Sequence, residues 1–230
     1  MATIHYRDLK HFPEVYEEFI STLGSARRRA AGSADSDLGM SIGLLSSKIR
    51  TIGVLEYLMY GDIVSFRTNL SEAASLELNR FKRFEAGESI DASYVSMTAF
   101  PSIYDALAAG NLELARKLSA ILGGRDAIEK RNDHPFDYAM GYLLKSFVDE
   151  SGENEKRHRI EEFRKQCGNN FIGYLMVFEA LMEDNPDMAL DGFSKLISGH
   201  KRESKGRGIF APKIDQLISI WGIGLANFSR

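Results

Sequence analysis

Cysteine, proline and strand-forming patterns are scarce in this 230-residue chain, and each scarcity removes a class of protein. A single cysteine, Cys167, cannot close an internal disulfide, so the chain is no stapled secreted scaffold and reads as cytoplasmic, in a reducing compartment. The five prolines, Pro13, Pro101, Pro135, Pro186 and Pro212, all fall where a helix would begin, positions at which the missing N–H costs little. No alternating Val/Ile/Thr run is bounded by Asn-Gly or Asp-Gly turns, which argues against a β fold. The N-terminal segment MATIHYRDLKHF has no basic stretch leading into an apolar one, so no signal peptide is expected. The longest nearly uncharged apolar run, Phe171 to Met182, covers twelve positions and is broken by Glu179. That falls short of the roughly 20 residues a bilayer requires, so it reads as a buried helix and no membrane partner is expected.

An excess of charge of either sign is also missing. Lys and Arg number 29 and Asp and Glu 32, a net charge of -3, so bulk attraction to nucleic acid or to an anionic membrane is not expected. The phosphate-cradling patterns G-x-x-x-x-G-K-[ST] and strand-led G-x-G-x-x-G do not occur. His5, His11, His134, His158 and His200 are scattered, and no pair shows the i, i+4 spacing of a helical zinc site. His134 stands at an expected helix start. His200 stands at an expected helix end, where a protonated imidazole would suit the helix dipole. Cys167 completes an apolar stripe with Ile160 and Phe163, which fits a small buried hydrophobe better than a nucleophile. Neither a catalytic residue, a metal ligand set nor a cofactor site is expected, and the chain is read as a non-enzyme.

What the sequence does contain is helical periodicity. Ile103, Ala106 and Leu107 precede Gly110-Asn111, and Leu114, Ala115, Leu118, Ile121 and Leu122 follow at offsets 0, 1, 4, 7 and 8. This is an amphipathic helix, a turn and a second amphipathic helix. Sliding the chain by 75 residues places Phe178, Leu181, Met182 and Asn185 on the first stripe and turn, and Ala189, Leu190, Phe193, Leu196 and Ile197 on the second. A shift of 48 the other way gives Leu55, Leu58, Met59 and Asp62, then Phe66, Leu70, Ala73 and Ala74, with Arg67 as the one mismatch. Tyr138, Tyr142, Leu143 and Phe147 begin a further hairpin.

The expected architecture is therefore one all-α domain over 1-230, an irregular stack of antiparallel, tetratricopeptide-like helical hairpins near 38-83, 101-122, 136-167 and 171-198. Terminal helices near 13-31 and 212-228 would cap the stack. Gly32 to Asp37 and Ser198 to Gly208 read as exposed loops, the second basic through Lys201, Arg202, Lys205 and Arg207. A homodimer is compatible with such a stack, although no stripe in the sequence announces itself as uncovered.

Charge is unevenly spread. From Asp149 to Asp191 there are eleven acidic and five basic residues, net -6; from Gly192 to Lys213 there are one acidic and six basic, net +5. Glu183, Asp184, Asp187 and Asp191 surround one turn. Acidic residues there serve helix N-termini, and they also form a patch that can dock on a basic protein.

The hairpins, in order and wording, resemble the bacterial immunity protein 49 family. The resemblance is carried by FRTNLSEAASLELNRF at 66 to 81, YDALAAGNLELARKLSAIL at 104 to 122, DYAMGYLLKSFVD at 137 to 149, GFSKLISGHKR at 192 to 202 and the tail LISIWGIGLANFSR, and it covers about residues 40 to 229. It implies a helical antidote that binds and neutralises a cognate toxin domain, here one expected to be basic, as a nuclease would be. The acidic cluster at 183 to 191 would then form part of the contact rim, and no direct binding of nucleic acid is expected. No family motif assigns a residue-level site. The alternative is a hairpin scaffold that binds an endogenous protein or peptide.

Overall fold

The computed structural model describes residues 11–32, 37–211 and 214–229, and among them every regular element is helical. Helix α1 spans Phe12–Ala30, α2 Leu38–Tyr60, α3 Ile63–Glu85, α4 Pro101–Ala108, α5 Leu112–Ile121 and α6 Asp126–Asn132. There follow α7 Pro135–Val148, α8 Glu153–Gln166, α9 Ile172–Glu183, α10 Pro186–Glu203 and α11 Ile220–Phe228. The chain is an all-α stack. The expected hairpins are α2 with α3, α4 with α5, α7 with α8 and α9 with α10, each packed pairwise.

Local chemistry explains the boundaries. The Met40 N–H donates to the Asp37 side chain, Ser65 N–H to Asp62, Leu114 N–H to Asn111 and Met188 N–H to Asn185, so each acceptor satisfies an orphan donor of the first turn. Pro101, Pro135 and Pro186 open α4, α7 and α10. Pro212 and residues 33–36 lie outside the described residues. At the tips, Gly61 and Gly110 take φ of 69° and 77°, and α9 ends on Asp184 at φ 49°, an uncommon value that short acidic side chains tolerate.

Four expectations are corrected. The C-terminal helix does not begin at 212: a 3-10 turn at Ile214–Gln216 comes first, and α11 starts at Ile220 behind a Ser219 cap. Nor does it cap an end. It packs on α4, where Trp221 lies 4.9 Å from the Phe100 ring, 5.4 Å from Tyr104 and 5.0 Å from Phe210. A stripe of Ile220, Trp221 and Leu225 among glycines is apolar and slim enough to be surrounded rather than to lie on the surface. The basic loop is shorter than read, because α10 continues through Lys201 and Arg202 to Glu203. Helix α6 and two 3-10 turns, Ala92–Val95 and Met97–Ala99, were not foreseen, being too short for a periodic pattern.

The fourth concerns apolar length. Helix α2, with 23 residues, is long and apolar enough to cross a bilayer by length and composition, which the uncharged-run criterion overlooked. Two thirds of that stretch (67%) is buried inside the protein, between α1 and α3. Arg50 in its middle is held by Asp105 of α4, from Nε at 2.8 Å, and by both oxygens of Asp215, at 2.6 and 2.5 Å. This buried cluster ties three distant segments together.

Helices α9 and α10 approach closely because glycines line their seam. A Cβ on Gly173 would stand 2.2 Å from the Leu196 nitrogen, and one on Gly199 would stand 1.8 Å from the Asn170 oxygen. Every larger residue would push the pair apart.

Candidate functional site

Chemistry in this chain is concentrated in two places, a polar cleft and an acidic edge. The cleft, about 220 Å³, lies between α2, α3 and α4 and is lined by Ser46, Arg50, Glu77, Arg80, Ser102 and Asp105 among others. Burial pushes the Asp105 carboxyl up to about 6, against the pull of Arg50. Burial likewise raises Glu77. Arg80 Nη2 stands 2.5 Å from Glu77 Oε2, misaligned for a hydrogen bond, while Arg50 spends its whole guanidinium on two aspartates. These carboxylates are clamped by arginines, and the Ser46, Ser47, Thr98 and Ser102 hydroxyls of the lining have no imidazole beside them. The arrangement ties α2, α3 and α4 together.

The acidic edge is built by helix ends. Phe228 of α11 shares a groove of about 490 Å³ with Phe147 and Glu150 from the end of α7, Glu153 and Lys156 from the start of α8, and Leu181 and Met182 from the end of α9. Arg116 of α5 pairs with Glu150, and Asn227 Nδ2 donates to the carbonyls of Leu107 and Ala108, so the end of α4 joins the same edge. A second cavity of about 300 Å³ on the other side of Met182 is lined by Arg157, Ile160, Glu161, Arg164, Glu179 and Glu183.

The four sequence-predicted residues are all exposed, but the structure divides them. Glu183 borders the second cavity and Asp184 occupies the left-handed position after α9, whereas Asp187 and Asp191 stand on the first turns of α10. Asp191 is paired with Lys195 at 3.0 Å. Around the cavities Arg157 holds Glu153, and Arg164 holds Glu161 and Glu179. Glu183, Asp184 and Asp187 have no hydrogen-bond or ion-pair partner from a side chain among the described residues. The edge therefore combines a floor of Phe147, Leu181, Met182 and Phe228 with unneutralised carboxylates beside it.

Sequence reasoning missed Glu150, Glu153 and Phe228, which only the meeting of three helix ends brings together. It also missed the Arg50 cluster, although a lone arginine inside an apolar 23-residue helix and an aspartate inside the stripe of α4 were signals.

The remaining candidates behave as follows. His134 caps α7, its Nδ1 accepting from the Phe136 N–H at 3.2 Å, as expected of a helix start. His200 does sit in the last turn of α10, but it is buried against the Phe210 ring at 4.7 Å, and desolvation pushes its titration down. It is a neutral core group, not a surface cation, because the chain after α10 folds back over it. Cys167 is half-buried at the end of α8, and burial pushes its thiol up, opposite to what a nucleophile needs. His11 faces the exposed Glu14 and His158 the half-buried Glu162, and His5 lies outside the described residues. Among the described residues no three His, Cys, Asp or Glu side chains are grouped so as to hold a metal ion. Comparison with protein-family models, with curated proteins and with solved structures finds no match to this chain.

Proposed function

We propose that this chain is an immunity protein that binds a cognate toxin domain at the acidic edge and occludes it. The observation that carries the reading is an apolar-floored groove with, across Met182, Glu183 and then Asp184, exposed carboxylates without a side-chain partner among the described residues. Tight protein binding needs an anchor pocket and a charged rim, and this edge offers both to a basic partner. The resemblance of the hairpins to the immunity protein 49 family supports the same reading from the sequence side.

The test is co-expression with the product of the adjacent gene. Rescue of a lethal neighbour, together with co-purification of the two chains, supports an antidote acting by direct contact. Reversal of Glu183 and Asp184 to lysine should then slow association and remove most of its salt dependence. Unchanged binding on that reversal would remove this edge from the interface. The groove itself favours a second reading, a scaffold that accepts an apolar side chain of an endogenous peptide. A harmless neighbour, or a lethal one that is not rescued, turns the argument to that scaffold.

A further inference from the structure

Helix α10 has two faces with opposite fates. Gly192, Leu196 and Gly199 are buried in the seam with α9. On the far side, Asp187, Leu190, Ser194, Ile197 and Lys201 are all exposed, Leu190 at 67% and Ile197 at 52%. Their spacing runs three, four, three, four. That is the heptad seam of a helix that packs against another helix, and here it stands exposed among the described residues. The stripe is about 21 Å long at about 1.5 Å per residue.

The order of chemistry along the stripe indicates the occupant. Acid stands at the N-terminal end, two aliphatic side chains in the middle and base at the C-terminal end. Asp187 and Lys201 have no partner among the described residues, whereas Asp191 and Lys195 satisfy each other. Laid antiparallel on itself, the stripe places Leu190 opposite Ile197 of the other copy and Asp187 opposite its Lys201. Ser194 falls at the two-fold axis, where a small side chain lets the helices come close. Antiparallel helix dipoles favour the same arrangement. A surface that complements itself under a two-fold rotation is what an isologous dimer requires.

We propose that α10 is the interface of a two-fold dimer of this chain. The proposal does not rest on the toxin-binding reading, which uses Glu183, Asp184 and the groove. One helix face offers less than the roughly 800 Å² per partner of a standard interface, so the dimer is weak, with a Kd on the order of micromolar or above.

Sedimentation equilibrium of the full chain tests it, from about 1 µM to about 0.5 mM and at about 0.05 M and about 0.5 M salt. The expected result is reversible monomer–dimer exchange that weakens about tenfold at the higher salt. Leu190→Glu should be monomeric throughout. Asp187→Lys and Lys201→Asp should each be monomeric alone, through like-charge contacts, and should associate when mixed, because the mixture restores both ion pairs. All three positions are exposed, so the variants should stay folded, which circular dichroism checks. A wild-type chain that is monomeric at about 0.5 mM, a dimer that survives Leu190→Glu, or single reversals that fail to associate on mixing would each overturn the proposal. Capture of the toxin, measured separately, should be insensitive to Leu190→Glu, so failure of one reading does not imply failure of the other.

Discussion

Replacing Arg50 with methionine removes the guanidinium that holds two buried carboxylates, Asp105 and Asp215. Asp105 and Asp215 have side-chain exposures of 6% and 3%, and Arg50 supplies three charge-assisted hydrogen bonds to them. Removing one partner of such a buried cluster costs about 3–5 kcal/mol, a large share of the roughly 5–15 kcal/mol that holds a domain folded. For a chain of this size Tm should fall by about 6–20 °C. Urea unfolding with an unchanged m-value reads the same loss. The triple variant Arg50→Met, Asp105→Leu, Asp215→Leu removes all three charges together, and should recover stability to within about 1 kcal/mol of wild type or above it. The cluster also sets a pH dependence. Asp105 titrates at about 6 in the folded protein against 3.8 ordinarily, so between those values the folded state keeps a proton that the unfolded chain has released. Its contribution to stability is present at low pH and is lost as pH rises from about 4 to about 6. Asp105→Asn, which keeps an oxygen for the Arg50 Nε, should flatten that slope. The reasoning is refuted if Arg50→Met costs under about 1 kcal/mol, or if the triple variant is as unstable as the single one.

Three further outcomes are expected. Gly173→Ala forces a Cβ onto the Leu196 backbone and should destabilise the protein by about 3 kcal/mol in denaturant titration, while the same change at Gly152, with open space around it, should cost under about 1. Asn185→Ala removes the acceptor for the Met188 N–H and should cost about 1 kcal/mol, read from the urea midpoint. Cys167, half-buried with its thiol pushed up, should react with iodoacetamide at neutral pH more slowly than a free cysteine, and Cys167→Ala should leave partner binding unchanged.

Long periodic segments were legible in the sequence because their apolar positions recur at helical offsets and their ends carry Asp, Asn, Pro or Gly. Asp62, and Gly110 with Asn111, mark turns almost to the residue. Segments of three to seven residues, such as Met97–Ala99 and α6, hold too few positions for a period to show. The fate of α11 was illegible for another reason. An apolar stripe says that a helix is covered, and only the packing of Gly224 against the Tyr104 carbonyl says by what. At the acidic edge, residue types and the local pairs of Arg157 and Arg164 could be named from sequence, but the pairing of Glu150 with Arg116 and of Glu179 with Arg164 spans 34 and 15 residues.

The position of α11 bears on how the chain is made. Phe100, Tyr104 and Tyr174 pack around Trp221, so a nascent chain that has already formed four hairpins still lacks the ring that joins them. Until residues 220 to 228 emerge, these aromatic surfaces are open to chaperones, to proteases and to other nascent copies. Truncation before Ile220 should therefore yield a sticky, partly ordered chain instead of a shorter stable one.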